Sequence, residues 1–310
     1  MNNTPVLLCL FNRPALSARV FEAIRKAQPA RLFIGADGPR EGRDDKQLCK
    51  EARLIANQVD WPCEVKTLFR DKNLGSGFAV SEAISWFFEH VEQGIILEDD
   101  CLPDESFFKF CDILLDKYAQ TEEVMSISGT CLLPKGWKPE KQSYVFAHGG
   151  VWGWATWKRA WRLFDFNMPD WESKTNKDKI KRAMNNPNWF NYYSGMFDDA
   201  SQQKSDIWDL QWFHCILNNG GLAINPTVNL VKNIGFGPGA THTAELDGPY
   251  AKLETRPMAF PLRHPAKIQV DKSYLRAIYR FVSGYNKSFA GIVKYWTRLY
   301  LNRLKKFAAK

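Results

Sequence analysis

Three consecutive carboxylates, Glu98, Asp99 and Asp100, follow a short apolar run at residues 95–97. Such a β-branched and aliphatic run is typical of a strand buried on both faces of a parallel sheet. Ligands of open α/β sheets bind beyond the carboxyl ends of the strands, so these acids stand where a ligand is expected. Because side chains alternate along a strand, Glu98 and Asp100 should face one way and Asp99 the other.

These acids admit two interpretations. Neighbouring negative charges repel unless a cation lies among them, and hard divalent metals prefer carboxylate oxygens, so the motif favours a metal-bound diphosphate. In the second interpretation the acids belong to a solvated loop that caps a helix beginning near Pro103, with Asp104 and Glu105 in its first turn. Spacing alone leaves both open.

Two other polar segments could bind a ligand. Gly75 and Ser76 open a predicted helix, whose free N–H groups favour either a phosphate or a plain turn. Asp37, at the end of a predicted strand, either accepts a hydrogen bond from a ribose or nucleobase or opens an Asp-Gly-Pro turn.

A third segment, residues 205–212, combines acids with tryptophans. Trp208 and Trp212 share a helical face and are either core residues or a binding platform. Asp206 and Asp209 lie on a neighbouring face, and a carboxylate against indole rings loses solvation, which raises its pKa and makes it a better general base. Aromatic side chains stack on sugars, so the Trp-rich segments favour a carbohydrate acceptor pocket. Its predicted members are three: Trp152, Trp154 and Trp208.

The elements that must position these residues alternate between strands and helices. We predict strands and helices in strict alternation over the first hundred residues, as follows: strands at 6–11, 31–36, 63–69 and 95–97, and helices at 15–27, 45–59 and 77–91. Parallel strands require crossover connections, so this order predicts an α/β fold, a Rossmann-like, mostly parallel sheet flanked by helices.

The pattern loosens after residue 107. We predict further elements in the following order: a helix at 107–118, strands at 124–128 and 144–147, helices at 176–199 and 208–217, and a strand at 221–225. A Gly-rich loop at 233–242 carries His242, which is a surface or core histidine unless the loop closes on a metal. We expect one domain at 1–265, with a nucleotide-binding half at 1–120 and an acceptor half at 121–265, and then a basic helical tail at 266–310.

Composition narrows the class of protein. The chain has 310 residues, 45% hydrophobic and 25% charged, which is typical of a globular protein. Its start lacks the basic region of a signal peptide, and no uncharged run approaches the ~20 residues that span a bilayer. The seven cysteines are scattered without metal-ligand spacing, which disfavours zinc and a disulfide framework and favours a reducing cytoplasm.

Positive charge is concentrated at the end of the chain. Residues 267–310 hold eleven Lys or Arg and one acid, although the net charge of the whole chain is +8. Residues 292–301 predict a basic amphipathic helix, which either binds an anionic membrane surface or packs on the domain with its charges outward. We expect peripheral attachment to the inner face of the cell membrane. Nucleic acid is disfavoured because no binding motif accompanies the charge.

Together these features resemble the nucleotide-diphospho-sugar transferases of the GT-A fold, in particular the N-acetylglucosaminyltransferases of N-glycan assembly and related bacterial sugar transferases. The similarity covers roughly residues 4–245 and is strongest over the Glu98-Asp99-Asp100 motif and the following 103–110 segment. The family has a similar acidic motif followed by a Pro-Asp-Phe-Phe type helix. Residues 208–212 are similar to its Trp-Asp-Asp-Trp segment, but here Leu210 replaces the second acid.

The resemblance implies a role for each matching residue. Asp100 would bind Mn²⁺ or Mg²⁺ directly, Glu98 would act through a metal-bound water, and Asp99 would contact the ribose. Asp209 would be the base that deprotonates an acceptor hydroxyl, with Asp206 as its rival. By the same resemblance, Arg13 and Asp37 match positions near the uracil and ribose. The other predicted site residues are: Asn12, Asn73 and Gly75 for the nucleotide-sugar, and His242 for the metal if its loop closes on it.

The expected function is therefore metal-dependent transfer of a sugar from a nucleotide-diphospho-sugar, with uridine as the expected base. The acceptor would be a hydroxyl of a glycan or glycolipid in bacterial surface polysaccharide synthesis, with inversion at the anomeric carbon. One alternative is a sugar-phosphate nucleotidyltransferase, although those enzymes normally carry a Gly-rich basic loop where this chain has residues 11–14. Another is a non-catalytic, membrane-associated carbohydrate-binding protein.

Overall fold

Ten strands are found in the computed structural model, which describes residues 4–138, 140–236 and 250–286. In chain order the strands are: β1 (Val6–Leu10), β2 (Arg31–Ala36), β3 (Glu64–Phe69), β4 (Gln93–Glu98), β5 (Cys101–Pro103), β6 (Val124–Ser128), β7 (Tyr144–Ala147), β8 (Trp154–Trp157), β9 (Leu222–Pro226) and β10 (Val231–Asn233). The helices are: α1 (Pro14–Ala27), α2 (Lys46–Arg53), α3 (Ser76–His90), α4 (Glu105–Lys117), α5 (Lys158–Trp161), α6 (Lys174–Met184), α7 (Pro187–Ser201), α8 (Asp209–Asn218) and α9 (Lys272–Asn286). A 3₁₀ turn at Leu54–Gln58 extends α2.

Eight of these strands form one mixed sheet in the order β3-β2-β1-β4-β8-β6-β9-β7. The first four are mutually parallel, as are β6 and β9, whereas β8 runs antiparallel to both β4 and β6. The remaining two, β5 and β10, pair antiparallel beside the main sheet. The predicted α/β fold, a Rossmann-like and mostly parallel sheet flanked by helices, is therefore confirmed.

The two faces of the sheet are covered by different helices because strand side chains alternate. Leu8 and its same-face neighbours pack against α1 and α4, whereas Leu7 and Cys9 pack with α3 and α8 on the opposite face. Both layers are largely apolar and buried. The sheet is consequently covered on both faces along β1 and β4, as expected for crossover connections.

One predicted helix is divided in the structure. The stretch at residues 176–199 forms two helices, α6 and α7, because Asn185 adopts a left-handed conformation with φ 48°. Asn186 then caps α7, its side chain accepting the N–H groups of Asn188 and Trp189, and Pro187 begins the new helix. A proline at the first helical position is well tolerated because its missing N–H would have no helical partner. The periodic pattern predicted one continuous helix and therefore missed the break at Asn185-Asn186-Pro187.

The contacts divide the chain into a larger unit, Met1–Val270, and a smaller one, Asp271–Lys310. Within the smaller unit, Asp271 caps α9 by accepting the N–H groups of Ser273 and Tyr274 at 2.9 Å each. The amphipathic helix predicted at residues 292–301 lies outside the described residues. Over the described part of the chain, every helix is too short or too polar to cross a bilayer.

Candidate active site

A pocket lies at the carboxyl ends of β1, β2 and β4, which the parallel register brings side by side. Cys9 of β1 is level with Glu98 of β4, and Leu10 with Ala36 of β2. Seven predicted site residues line this pocket: Arg13, Asp37, Asn73, Gly75, Glu98, Asp99 and Asp206. The strand ends therefore bring together most of the residues that the sequence assigned to a nucleotide-sugar.

Small residues form the floor of the pocket. A Cβ on Gly35 would lie 2.8 Å from the Cβ of Ala83, so a larger residue at this position would displace α3 from the sheet. Ala79 and Ala83 of α3 complete this floor. The cavity measures about 120 Å³, close to the size of ~150 Å³ cavities that take up benzene. The cavity thus has about the volume of one small ring, and polar side chains share its lining.

Arg13 pairs with two of the three acids. Its guanidinium binds Asp99 through two nitrogens and Asp100 Oδ2 through Nη1 at 3.0 Å. Asp99 is only 2% exposed, and the fork geometry of the pair suits a planar guanidinium. The resemblance implies a ribose contact for Asp99; in the structure its carboxylate holds Arg13 while the residue lines the pocket.

Negative charge at the site exceeds what Arg13 can balance. Burial raises the pKa of Glu98 well above its ordinary value, and the charges of Asp100, Asp99 and Asp209 add to that rise. The same negative charges act on two nearby thiols. Burial raises the pKa of Cys9, and the charges of Glu98 and Asp99 raise it further. Burial likewise raises the pKa of Cys101, and the charges of Asp100 and Glu98 raise it further. A cation would relieve this repulsion.

The predicted metal ligands are placed only in part. Glu98 is the last residue of β4, and Asp100 lies two positions beyond it. Gly235 lies so close to Asp100 that a Cβ on Gly235 would overlap the Asp100 carboxylate. His242 lies outside the described residues. Within the described ranges, no three His, Cys, Asp or Glu side chains are arranged to hold a metal ion. The donor set still fits Mg²⁺ or Mn²⁺, because such ions are commonly held by one or two carboxylates plus substrate phosphates.

Asp37 holds the loop that enters α3. Its carboxylate accepts from the backbone N–H groups of Gly38, Leu74 and Gly75 at 2.8–3.2 Å and from Asn73 Nδ2 at 2.8 Å. Burial raises the pKa of Asp37, and these N–H donors oppose the rise. Because a carboxylate accepts about four hydrogen bonds, little capacity remains for a ligand. Asp37 and Asn73 therefore shape the pocket wall, which supports the turn interpretation.

Replacing Asp37 with alanine should destabilise the fold. The substitution removes the acceptor of the buried Gly38 N–H and of the part-buried Leu74 and Gly75 N–H groups, and an unsatisfied buried donor costs about 1–3 kcal/mol. We expect the free energy of unfolding in urea to fall by roughly that amount, whereas Asp44→Ala, at an exposed position, should leave it within about 0.5 kcal/mol. Equal stability of the two variants would contradict this role for Asp37.

Asn12 is directed away from the pocket. Its Nδ2 donates to Asp45 Oδ1 at 2.7 Å, and Asp45 also pairs with Arg40 at 2.6 Å. This contact fastens the turn after β1 to the start of α2. The amide nitrogen of Asn12 is thus engaged within the protein, and its contact with a nucleotide-sugar stays a prediction.

Asp206 lies at the start of α3, where the sequence left both a phosphate site and a plain turn open. Its carboxylate accepts from Ser76 N at 2.8 Å and from Gly77 N at 2.7 Å. A helix N-terminus attracts an anion, and here the anion is supplied by the chain itself. Both carboxylate oxygens of Asp206 thus accept a hydrogen bond, although the residue is exposed and lines the pocket. Its role as a catalytic rival of Asp209 stays a prediction.

Asp209 is the first residue of α8 and is exposed. Its charge is close enough to raise the pKa of Glu98, and also that of Tyr193, for which burial is the larger cause. The charge of Tyr250 also raises the pKa of Tyr193. The charge of Asp209 thus acts both on Glu98 and on the partly buried Tyr193. Sequence reasoning missed Tyr193 and Tyr250, since neither belongs to a motif and only the fold brings them near Asp209.

Two of the three predicted acceptor tryptophans are buried. Trp154 and Trp208 are 1% and 3% exposed and stack on each other at 5.5 Å, in a cluster with Trp161 and Trp212. Their faces are covered by other indoles, so the prediction that they stack on a sugar is corrected in favour of the core interpretation. Trp152 is half-buried and packs edge-on against Phe236 and Tyr250, which keeps it a candidate.

The sequence matches no family model and no curated protein. An inositol-1-phosphate CTP transferase from T. maritima is 14% identical over 53% of this chain and 74% of that one, with a TM-score of 0.33. A cytidylyltransferase from Leptospira borgpetersenii serovar Hardjo-bovis is 11% identical over 53% and 64%, with a TM-score of 0.34. A UDP-glucose pyrophosphorylase solved with UDP-glucose is 15% identical over 48% and 64%, with a TM-score of 0.28. These solved structures are similar to about half of the chain.

Proposed function

We propose that this chain is a metal-dependent glycosyltransferase that moves a sugar from a nucleotide-diphospho-sugar to an acceptor hydroxyl. The observation that carries the proposal is the excess of carboxylates at the mouth of a ring-sized pocket. Glu98, Asp99 and Asp100 face one arginine, and Asp209 adds its charge to theirs. A diphosphate-bound cation would balance such a site, and an exposed acid beside it can accept a proton.

The pocket would hold the nucleoside of the donor. Its apolar floor at Gly35 and Ala83 suits one face of a nucleobase, and Asn73 and Arg13 lie at its polar rim. Uridine is the expected base because of the family resemblance. The loop at residues 73–75, held by Asp37, fixes the width of this space.

Asp100 and Glu98 would hold Mn²⁺ or Mg²⁺, with the donor's phosphate oxygens completing the ligands. A divalent cation bound there would neutralise charge on the leaving diphosphate. Arg13 keeps Asp100 oriented through its Nη1 contact at 3.0 Å, while Asp99 holds the rest of the guanidinium. In this proposal the three acids differ in role: Glu98 and Asp100 would hold the ion, whereas Asp99 holds the arginine that contacts Asp100.

Asp209 would remove the proton from the acceptor hydroxyl as the new glycosidic bond forms and the bond to the diphosphate breaks. Its exposure leaves room for an acceptor, and Trp152, Tyr193 and Tyr250 supply aromatic surface nearby. The acceptor is therefore a carbohydrate or a carbohydrate-bearing lipid in this proposal. A direct displacement of this kind inverts the anomeric carbon.

The proposal is tested with a panel of nucleotide-sugars and Mn²⁺, measuring free nucleoside diphosphate. Slow release without acceptor, stimulated by added glycans, supports a glycosyltransferase. Exchange of pyrophosphate into the nucleotide-sugar would instead indicate a nucleotidyltransferase. Against the latter, only residues 11–13 separate β1 from α1, which is too short a connection for a Gly-rich phosphate-binding loop.

The basic end of the chain would attach the enzyme to an anionic membrane surface. Helix α9 carries Lys272, Arg276 and Arg280, and the basic composition continues to Lys310. We expect deletion of residues 270–310 to abolish sedimentation with vesicles containing phosphatidylglycerol, because juxtamembrane basic residues contribute about 1 kcal/mol each. Neutral phosphatidylcholine vesicles are the control. Unchanged sedimentation of the truncated chain with anionic vesicles would refute the attachment.

A further inference from the structure

The entry to α3 is held by two carboxylates that come from different parts of the chain. Asp37 accepts the N–H groups of Leu74 and Gly75, and Asp206 accepts those of Ser76 and Gly77. Four successive backbone donors are thus engaged by acids of the protein. Asp37 belongs to the strand-end loops of the nucleotide pocket, whereas Asp206 lies three residues before Asp209.

The close approach of Asp206 to α3 depends on two glycines. A Cβ on Gly75 would lie 2.7 Å from Asp206 Oδ2, and one on Gly77 would lie 2.8 Å from the carbonyl oxygen of Ile207. Gly75 also has φ 83°, a conformation that side-chain-bearing residues rarely adopt. The segment at residues 205–207 therefore packs directly on the backbone that lines the nucleotide pocket.

The chain between Asp206 and Asp209 has little freedom. The carbonyl oxygen of Ile207 accepts from Gln211 Nε2 at 2.9 Å, and that of Trp208 accepts from Trp212 N at 3.1 Å. The Trp208 ring is stacked on Trp154 inside the core. With Asp206 fixed on α3 and Trp208 fixed in the tryptophan cluster, the start of α8 is held from both sides of Ile207.

We propose that Asp206 is a positioning residue, which holds Asp209 at a set place relative to the nucleotide pocket through its contact with the start of α3. The inference rests on the proposed function, in which Asp209 is the base. In this proposal Asp206 itself contacts neither the acceptor hydroxyl nor the anomeric carbon of the donor. Loss of its contact lets the first turn of α8 shift, and a misplacement of about 1 Å can lower a rate by ~10²-fold.

Two substitutions break the contact from opposite sides. Asp206→Asn keeps the shape of the side chain but replaces one acceptor oxygen with an amide, and Gly77→Ala places a methyl group against Ile207. We expect each to lower kcat by about 10- to 100-fold and to leave the donor KM within about threefold. The combined variant should fall little further, since both changes remove one interaction.

Matched controls separate this effect from general damage. Gly195→Ala adds a methyl group in α7 where nothing lies within 4 Å, and Asp178→Asn removes an exposed charge from α6. Both should keep wild-type kcat. Circular dichroism and thermal unfolding establish that all variants are folded.

Amide hydrogen exchange supplies a readout that does not need activity. In Asp206→Asn, protection should fall at Ser76 and Gly77 and also over the first turn of α8, residues 209–212. Unchanged exchange over residues 209–212 in Asp206→Asn overturns the inference. If the wild-type protein transfers sugar, an unchanged kcat in the folded Asp206→Asn protein overturns it as well. If exchange changes as expected but the wild-type protein transfers no sugar, the mechanical link stands and the proposed function fails.

Discussion

Asp209→Asn is expected to lower kcat for sugar transfer by about 10²–10⁴-fold, the usual contribution of a general base. Asparagine has the same shape as aspartate but cannot take up a proton at neutral pH. Donor binding should be unaffected, because Asp209 lies outside the residues that line the nucleotide pocket. Steady-state release of the nucleoside diphosphate at saturating acceptor measures kcat. Calorimetry with the intact nucleotide-sugar measures the affinity for the donor.

The control for this variant is Asp199→Asn, which removes an exposed charge from α7 without approaching the acids of β4. It should retain wild-type kcat. Wild-type turnover by a folded Asp209→Asn protein would exclude Asp209 as the base. A loss of nucleotide binding equal to the loss of kcat would instead assign Asp209 to the donor site.

Asp100→Ala is expected to abolish the Mn²⁺-dependent part of UDP binding, a loss of roughly 100-fold or more in affinity. Removing this carboxylate leaves Glu98 as the remaining acid that faces the ligand at the strand end, and one carboxylate with phosphate oxygens holds an ion weakly. Isothermal titration of UDP with and without Mn²⁺ gives the metal-dependent difference directly. The weaker metal-independent binding should persist, because the nucleoside pocket is unchanged.

Asp104→Ala serves as the matched control, since Asp104 follows four residues later and caps α4 by accepting Ser106 N at 2.9 Å. Loss of this cap should lower stability by about 0.5–2 kcal/mol while the metal-dependent difference stays intact. Equal affinity of wild type and Asp100→Ala in the presence of Mn²⁺ would contradict a metal at this position.

The sequence predicted the nucleotide-binding side well because its elements are local. Apolar runs bounded by Gly, Pro and Asp define β1, β2 and β4, and the alternation with helices determines that they are parallel. The helix predicted to begin near Pro103, with Asp104 in its first turn, begins at Glu105, and Asp104 caps it by accepting Ser106 N. The acids at the end of β4 stood where parallel sheets place their ligands.

The acceptor side was predicted less well because its contacts join distant segments. Strand β8 contains Gly-flanked tryptophans and pairs with strands on either side of it that lie far away in sequence, so no local pattern marks it as a strand. The burial of Trp154 and Trp208 follows from that pairing, since β8 lies in the middle of the sheet. Asp206 could not be assigned from sequence either, because its partners are backbone N–H groups 130 positions away.

Strand β8 also has a consequence for biosynthesis. It hydrogen-bonds to Gln93–Ile96 through residues 154–157 and separates β4 from β6. While the chain emerges from the ribosome, β4 would present an open, apolar edge until some sixty further residues have been made. Such edges recruit other strands, so this interval is when the nascent chain is most prone to aggregate.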